Sequence, residues 1–140
     1  MSFGQSFQIT PLQLLRAVSA VVNGGKLVTP HFGVKKIDTK GNISVLEYEE
    51  SGTIIKQSTT ETMRGLLKNV VELGGGLNCR IEGYSIAGKT ATSEKLPRGN
   101  GKYIASFIGI APAENPQVIA MCIIDEPVGI HYGGVIAEEE

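Results

Sequence analysis

Apolar positions along the chain change period twice, and the changes divide it into helical and extended stretches. Leu14, Leu15, Val18, Val21 and Val22 recur at helical spacing behind Thr10-Pro11. A hydroxyl followed by proline is a helix start, because the side chain caps a free N–H and the proline sits where a missing donor costs nothing. Gly24-Gly25 supplies a stop, so the spacing predicts a helix over 11–23. Leu27 to Pro30 and Phe32 to Asp38 read as extended, Lys40-Gly41-Asn42 as a turn, and Ile43 to Tyr48 alternates apolar with polar, which together predict a hairpin. Ser58-Thr59-Thr60-Glu61 reads as a capping box, followed by a helical stripe of Met63, Leu66, Leu67, Val70, Val71 and Leu73 that ends at Gly74-Gly75-Gly76.

Beyond the glycines the period becomes that of strands: Tyr84 to Ser93, Tyr103 to Ala111 and Val118 to Asp125, separated by the turn-rich LPRGNG and PAENP. Short connections of this kind predict an antiparallel meander. The fold class expected is α+β, with two helices, a hairpin and a three-stranded antiparallel meander. Val118 to Ile124 is apolar without interruption, the pattern of a strand covered on both faces. Gly133 to Ala137 reads as the start of a last helix, and Glu138-Glu139-Glu140 as a solvated acidic tail.

Composition narrows the class without naming an activity. The 140 residues suit one domain, 41% are hydrophobic and 19% charged, and the net charge of -1 gives no nucleic-acid footprint. Cys79 and Cys122 lack metal-ligand spacing and lie in or beside apolar stretches, so buried thiols are expected and no metal or other cofactor. The opening MSFGQSFQIT has no basic and apolar export pattern, and no apolar run reaches the roughly 18 residues of a membrane helix. No direct membrane span is expected.

One octet carries a tempting match. Gly83 to Thr90 fits the phosphate-loop pattern G-x-x-x-x-G-K-[ST] letter for letter. A phosphate loop must run directly into a helix, but Leu96-Pro97 and Gly99-Asn100-Gly101 leave no room for one, so no nucleotide is expected. Gly83-Tyr84-Ser85-Ile86-Ala87 approaches a nucleophile elbow but ends in alanine and lacks the flanking strand and helix. His31 and His131 read as surface or packed structural histidines. On a strand, Thr90 and Thr92 point to one side and Lys89, Ala91 and Ser93 to the other. Such a strand can accept an extended ligand by backbone pairing and hold a carboxylate with hydroxyls and an ammonium. It can equally be an ordinary edge strand whose lysine discourages aggregation.

The segment GYSIAGKTATSEKLP resembles the lysine-threonine-glycine strand of class B penicillin-binding transpeptidases of the cell-division or sporulation type. FGQSFQITPLQLLRAVSAVVNGGKLVTPHF resembles the stretch in which their helix follows an FGQ and a TPLQL element, YIASFIGIAPAENPQVIAMCIIDEP their last two strands, and IHYGGVIA the opening of their C-terminal helix. The resemblance runs over about residues 3 to 137. It implies a five-stranded antiparallel sheet of which this chain supplies only the last three strands, so Val118 to Asp125 would present an open edge that invites pairing, and self-association or exchange of elements between copies is expected. It implies part of a penicillin-recognising (β-lactamase/transpeptidase-like) fold, and a D,D-transpeptidase that cross-links peptidoglycan stem peptides through an acyl-enzyme on a serine, is acylated by β-lactams, and works on the extracytoplasmic face of the bacterial membrane. The family needs a Ser-x-x-Lys and a Ser-x-Asn besides the lysine-threonine strand. No serine here has Lys three residues on or Asn two residues on.

Carried over position by position, the resemblance makes Lys89 the ammonium that supports the proton relay and draws the substrate carboxylate. Thr90 and Thr92 become carboxylate-binding hydroxyls, and the Thr92 N–H becomes half of the oxyanion hole. Ser93 completes the substrate-binding strand. Ala91 stands where the family usually has glycine, on a strand that a ligand must approach closely. Two readings follow: a C-terminal portion of such an enzyme, inactive alone for want of the nucleophile, or a stand-alone non-catalytic module that pairs with a transpeptidase or a peptide through an exposed strand edge.

Overall fold

Thr10 does what its position before Pro11 predicts. Its hydroxyl accepts the Gln13 N–H (3.2 Å) and the Gln13 side chain accepts the Thr10 N–H (3.0 Å), closing a reciprocal cap on helix α1, Pro11–Val22. The protein is described here by a computed structural model covering residues 8–49 and 51–136. The FGQ element and the acidic tail therefore lie outside the described residues.

Strand β1 (Lys26–Leu27) pairs antiparallel with β4 (Ser51–Thr53), bracketing the hairpin formed by β2 (Lys35–Ile37) and β3 (Ile43–Val45). The hairpin was legible in the alternation, whereas the β1–β4 pairing was not. The hairpin turn is held by Asp38, whose carboxylate accepts the Lys40 and Asn42 N–H groups and the Asn42 side chain. Those bonds keep its pKa below the usual carboxylate value.

Helix α2 spans Gln57–Leu73, and here two expectations fail. Ser58 is not the cap: the helix starts two residues earlier, behind Lys56, and Gln57 donates from its side chain to Glu61 (3.0 Å), so the box residues lie within the first turn. The predicted stripe is also too wide. Val71 is buried, but Leu66 is 55% and Leu73 79% exposed, because only the strip of α2 nearest Val71 and Leu67 meets the core.

A short 3₁₀ turn, Leu77–Cys79, leads to the main sheet: β5 (Ala87–Glu94), β6 (Tyr103–Ala111) and β7 (Val118–Asp125), an antiparallel meander in the order β5-β6-β7. Ala87, Ile110 and Ile119 lie on one face of it, and the core forms where Val21 and Val22 of α1 and Leu67 of α2 cover that face. The last helix, α3 (Gly133–Ile136), lies against β5 and β6. His31 stacks on Tyr48 (3.8 Å between centroids) and His131 on Tyr103 (4.1 Å), so both histidines pack as structural rings. Cys79 is buried, Cys122 is only half-buried, and neither is in a disulfide.

The far end of the sheet is tied by charge. Lys95 bonds both Asp125 (2.9 Å) and Glu126 (2.8 Å), and Lys102 bonds Glu126 (2.9 Å). The two ammonium groups pull the Glu126 carboxyl from an ordinary 4.5 down to about 2, and Lys95 is raised in turn. A carboxylate with a depressed folded-state pKa contributes stability that is present above its unfolded value and lost as pH falls toward the folded one. The wild-type melting temperature is therefore expected to drop between pH 5 and pH 2. In Glu126→Gln the drop should be shallower, from a lower starting point at pH 7. Thermal unfolding followed by circular dichroism across that range checks this, and parallel curves for the two proteins would contradict it.

Candidate functional site

The candidate residues lie on β5, an outer strand of the main sheet. Side chains alternate along it: Lys89 and Ala91 are exposed, whereas Thr90 and Thr92 are half-buried. The structure thus separates the two sets as the strand period requires. Ser93 is half-buried and stands opposite Ile104 of β6.

Backbone direction matters more than side-chain direction on such a strand. The Lys95 N–H donates to the Lys102 carbonyl (2.8 Å) one step beyond the Glu94–Tyr103 pair. In an antiparallel ladder, bonded and non-bonded pairs alternate. Ala87, Lys89, Ala91 and Ser93 therefore turn their N–H and C=O groups toward β6, and Gly88, Thr90, Thr92 and Glu94 turn theirs to the open side. The Thr92 N–H is on the open edge. So is the Thr90 carbonyl, and the Lys89 ammonium has folded over to donate to it (2.7 Å). An ammonium has three donors, so this contact leaves Lys89 able to hold an anion beside the Thr92 N–H.

Three packing contacts hold the strand in place. The Phe107 ring lies across Gly88, where an added Cβ would also sit 2.6 Å from the Ile108 carbonyl, so glycine is needed there for lack of room. The N–H of Gly133, the first residue of α3, donates to the Thr92 hydroxyl oxygen (2.9 Å). That hydroxyl keeps its own proton for donation. Gly133 also lies so close to the Ala91 and Ser106 carbonyls that no side chain fits between. Sequence reasoning missed this clasp. The Gly133-Gly134 pair is its only trace in the sequence, and that pair reads equally well as a loop.

A second polar cluster lies at the other end of β5. The Ser85 hydroxyl donates to the Glu114 carboxylate (2.9 Å), Lys68 of α2 is ion-paired to the same oxygen, and Arg64 donates to the Glu114 carbonyl (2.6 Å). Lys68 and Ser85 draw the Glu114 carboxyl down from 4.5 to about 2. A serine that donates to so weak a base is not activated for attack, which agrees with the failed elbow pattern. Lys89 and Thr90 lie within β5, and no helix follows them, so the phosphate-loop match is without its required context. Among the described residues no group of three or more metal-ligating side chains comes together, and no helix is long and apolar enough to cross a membrane.

Comparison with known proteins supplies what geometry alone does not. The family described as the penicillin binding protein transpeptidase domain matches residues 1–139. Stage V sporulation protein D of Bacillus subtilis is 39% identical over 142 residues, an alignment that takes in 97% of this chain and 22% of that protein. A probable peptidoglycan D,D-transpeptidase, PenA of Neisseria flavescens, is 37% identical over 98% of this chain and 33% of its own length. Among solved structures, penicillin binding protein 3 of Mycobacterium tuberculosis complexed with aztreonam superposes with a TM-score of 0.81 at 28% identity, covering 93% of this chain and 32% of that one. The chain thus spans between about a fifth and a third of the length of these relatives.

Proposed function

Because the chain belongs to the penicillin-binding protein transpeptidase family, with class B-like D,D-transpeptidases among its relatives, we propose that it is the C-terminal portion of such a domain, residues 1–137, and supplies the strand that receives the ligand. The observation that carries this reading is the open edge of β5, where the Thr92 N–H and the Lys89 ammonium face the same side. The ligand class is the carboxylate-terminated stem peptide of peptidoglycan, or a β-lactam that imitates it. Lys89 and the Thr90 and Thr92 hydroxyls hold the carboxylate, and the Thr92 N–H polarises the reacting carbonyl. Such an edge works on the extracytoplasmic face of the membrane, where its substrate is found.

No serine of the chain carries the lysine or asparagine partners that the resemblance requires, so the chain alone forms no acyl-enzyme and any binding is non-covalent. The open strand edges also favour a second reading, a non-catalytic module that pairs with a transpeptidase or a peptide. Incubation with a fluorescent penicillin is expected to leave no labelled band on a denaturing gel, and a labelled band would falsify the absence of a nucleophile. Recognition is read separately: aztreonam added to the nitrogen-labelled chain should move the Thr90 and Thr92 amide resonances, more strongly in Ala91→Gly and not at all in Lys89→Ala. Shifts that avoid β5 in every form, or no shifts at all, would count against the ligand strand.

A further inference from the structure

Glu126 is the only non-glycine among the described residues with a left-handed backbone, at φ +51°. An L residue stays in that region where its surroundings over-determine it, and Glu126 is fixed through both main chain and side chain. Its N–H donates to the Tyr103 carbonyl (2.9 Å), and its two carboxylate oxygens take the Lys95 (2.8 Å) and Lys102 (2.9 Å) ammonium groups, one apiece. Lys95 and Lys102 close the loop between β5 and β6, joined by the bond from the Lys95 N–H to the Lys102 carbonyl (2.8 Å). Every residue from Leu96 to Lys102 is exposed, so packing does little to fix this loop. Carboxylates hold it instead: Glu126 at its base, and Glu94, which accepts the Gly99 N–H (2.6 Å), at its tip.

The direction of a bound peptide brings it to this loop. With the terminal carboxylate at Lys89 and Thr90 and the reacting carbonyl at the Thr92 N–H, the peptide points its C-terminus toward Lys89 and runs antiparallel to β5. The residue carrying the reacting carbonyl then stands opposite Thr92, the one before it opposite Ser93, and the one before that opposite Glu94. Glu94 is the last residue of β5, and its N–H and C=O are turned to the open side. It is therefore the last place where this strand bonds the main chain of a ligand, and its side chain is tied to the loop tip.

We propose that Glu126 is a positioning residue for an upstream subsite at Glu94. By holding Lys95 and Lys102 it sets the loop against Glu94, and the edge then favours a peptide that continues at least two residues upstream of the reacting one. What is recognised there is extended main chain, so the preference is for length and not for a particular side chain. This subsite presupposes the ligand strand proposed above and adds the extent of the molecule that strand prefers.

Two probes separate the subsite from the strand: acetyl-D-Ala-D-Ala, which stops opposite Ser93, and acetyl-Ala-Ala-D-Ala-D-Ala, which passes Glu94. Added to the nitrogen-labelled chain, both should move the Thr92 amide resonance. The longer peptide should also move that of Glu94 and bind at least about fivefold more tightly, the worth of one bonded pair of residues. Glu126→Gln should displace the Gly99 amide before any peptide is added, remove most of that advantage, and leave affinity for the dipeptide within about twofold. Lys102→Gln removes one arm of the clamp while Lys95 keeps its bond to Asp125, and should act the same way in smaller measure, with circular dichroism showing both variants folded. A Gly99 resonance that stays in place in both variants overturns the positioning role, and so does an equal loss of affinity for the two peptides. Equal affinities in the unaltered chain overturn the subsite and leave the ligand strand standing. A Thr92 amide that neither peptide moves overturns both.

Discussion

Gly25→Ala is expected to lower the midpoint of thermal unfolding by about 10 °C, a larger effect than any other single methyl group should have in this fold. Gly25 is buried at φ +86°, a conformation in which an alanine is strained by about 1–2 kcal/mol. Its added Cβ would also collide with the Ile55 carbonyl oxygen and lie 2.7 Å from the carbon and 2.9 Å from the nitrogen of that residue. All three are backbone atoms that no rotamer change can move, so overpacking adds about 1–3 kcal/mol. Relief requires separating the chain at Gly25 from the 54–55 segment and breaking the bond from the Ile54 N–H to the Gly25 carbonyl (2.8 Å). Gly41→Ala is the matched control. Gly41 has φ +84° but nothing within 4 Å, so it should show the conformational strain alone, and calorimetry on the two variants separates the terms. Equal losses would show that the Ile55 contact is softer than its distances imply.

Gly133→Ala is the second large effect, and it acts on the candidate site. Here φ is not positive, so the cost is steric: the methyl would strike the Ala91 carbonyl and lie 2.7 Å from that of Ser106. α3 must lift away, which breaks the bond from the Gly133 N–H to Thr92. A loss of about 2–3 kcal/mol is expected, with the Thr92 amide resonance displaced before any ligand is added. Thr92→Val removes the acceptor without the collision and should cost about 1 kcal/mol. If Gly133→Ala lowered the melting temperature but left the Thr92 resonance in place, α3 would not be what positions β5.

Where the sequence was legible, local chemistry decided the outcome. Thr10-Pro11 capped α1 as expected, because a cap is made by residues three positions apart. The second and third meander strands, Tyr103–Ala111 and Val118–Asp125, formed at the bounds read from the sequence, whereas the first begins at Ala87 and not at Tyr84, and ends at Glu94. Legibility ended where a second element decides. Leu66 and Leu73 are at apolar spacing on α2 but face solvent, since how wide a stripe is buried depends on what packs against it. β1 pairs with β4 across the whole β2–β3 hairpin, a contact no local pattern announces. For the site, alternation correctly divided Lys89 and Ala91 from Thr90 and Thr92. It could not tell which N–H groups face outward, because that phase is set by the partner strand and not by the strand itself. The resemblance to the transpeptidase strand named the residues, and the ladder turns the Thr92 N–H and the Thr90 carbonyl to the open edge, the direction the proposed ligand strand requires.

One consequence of that ladder concerns how such a site tolerates mutation. Its donors and acceptors at Gly88, Thr90, Thr92 and Glu94 belong to the main chain, so they survive almost any change of side chain; only proline removes one. Substitutions such as the alanine at 91 can reshape the approach to the edge or its charge while the row of hydrogen-bonding groups stays intact. Selection can therefore explore which extended molecule is preferred without first dismantling the means of holding one.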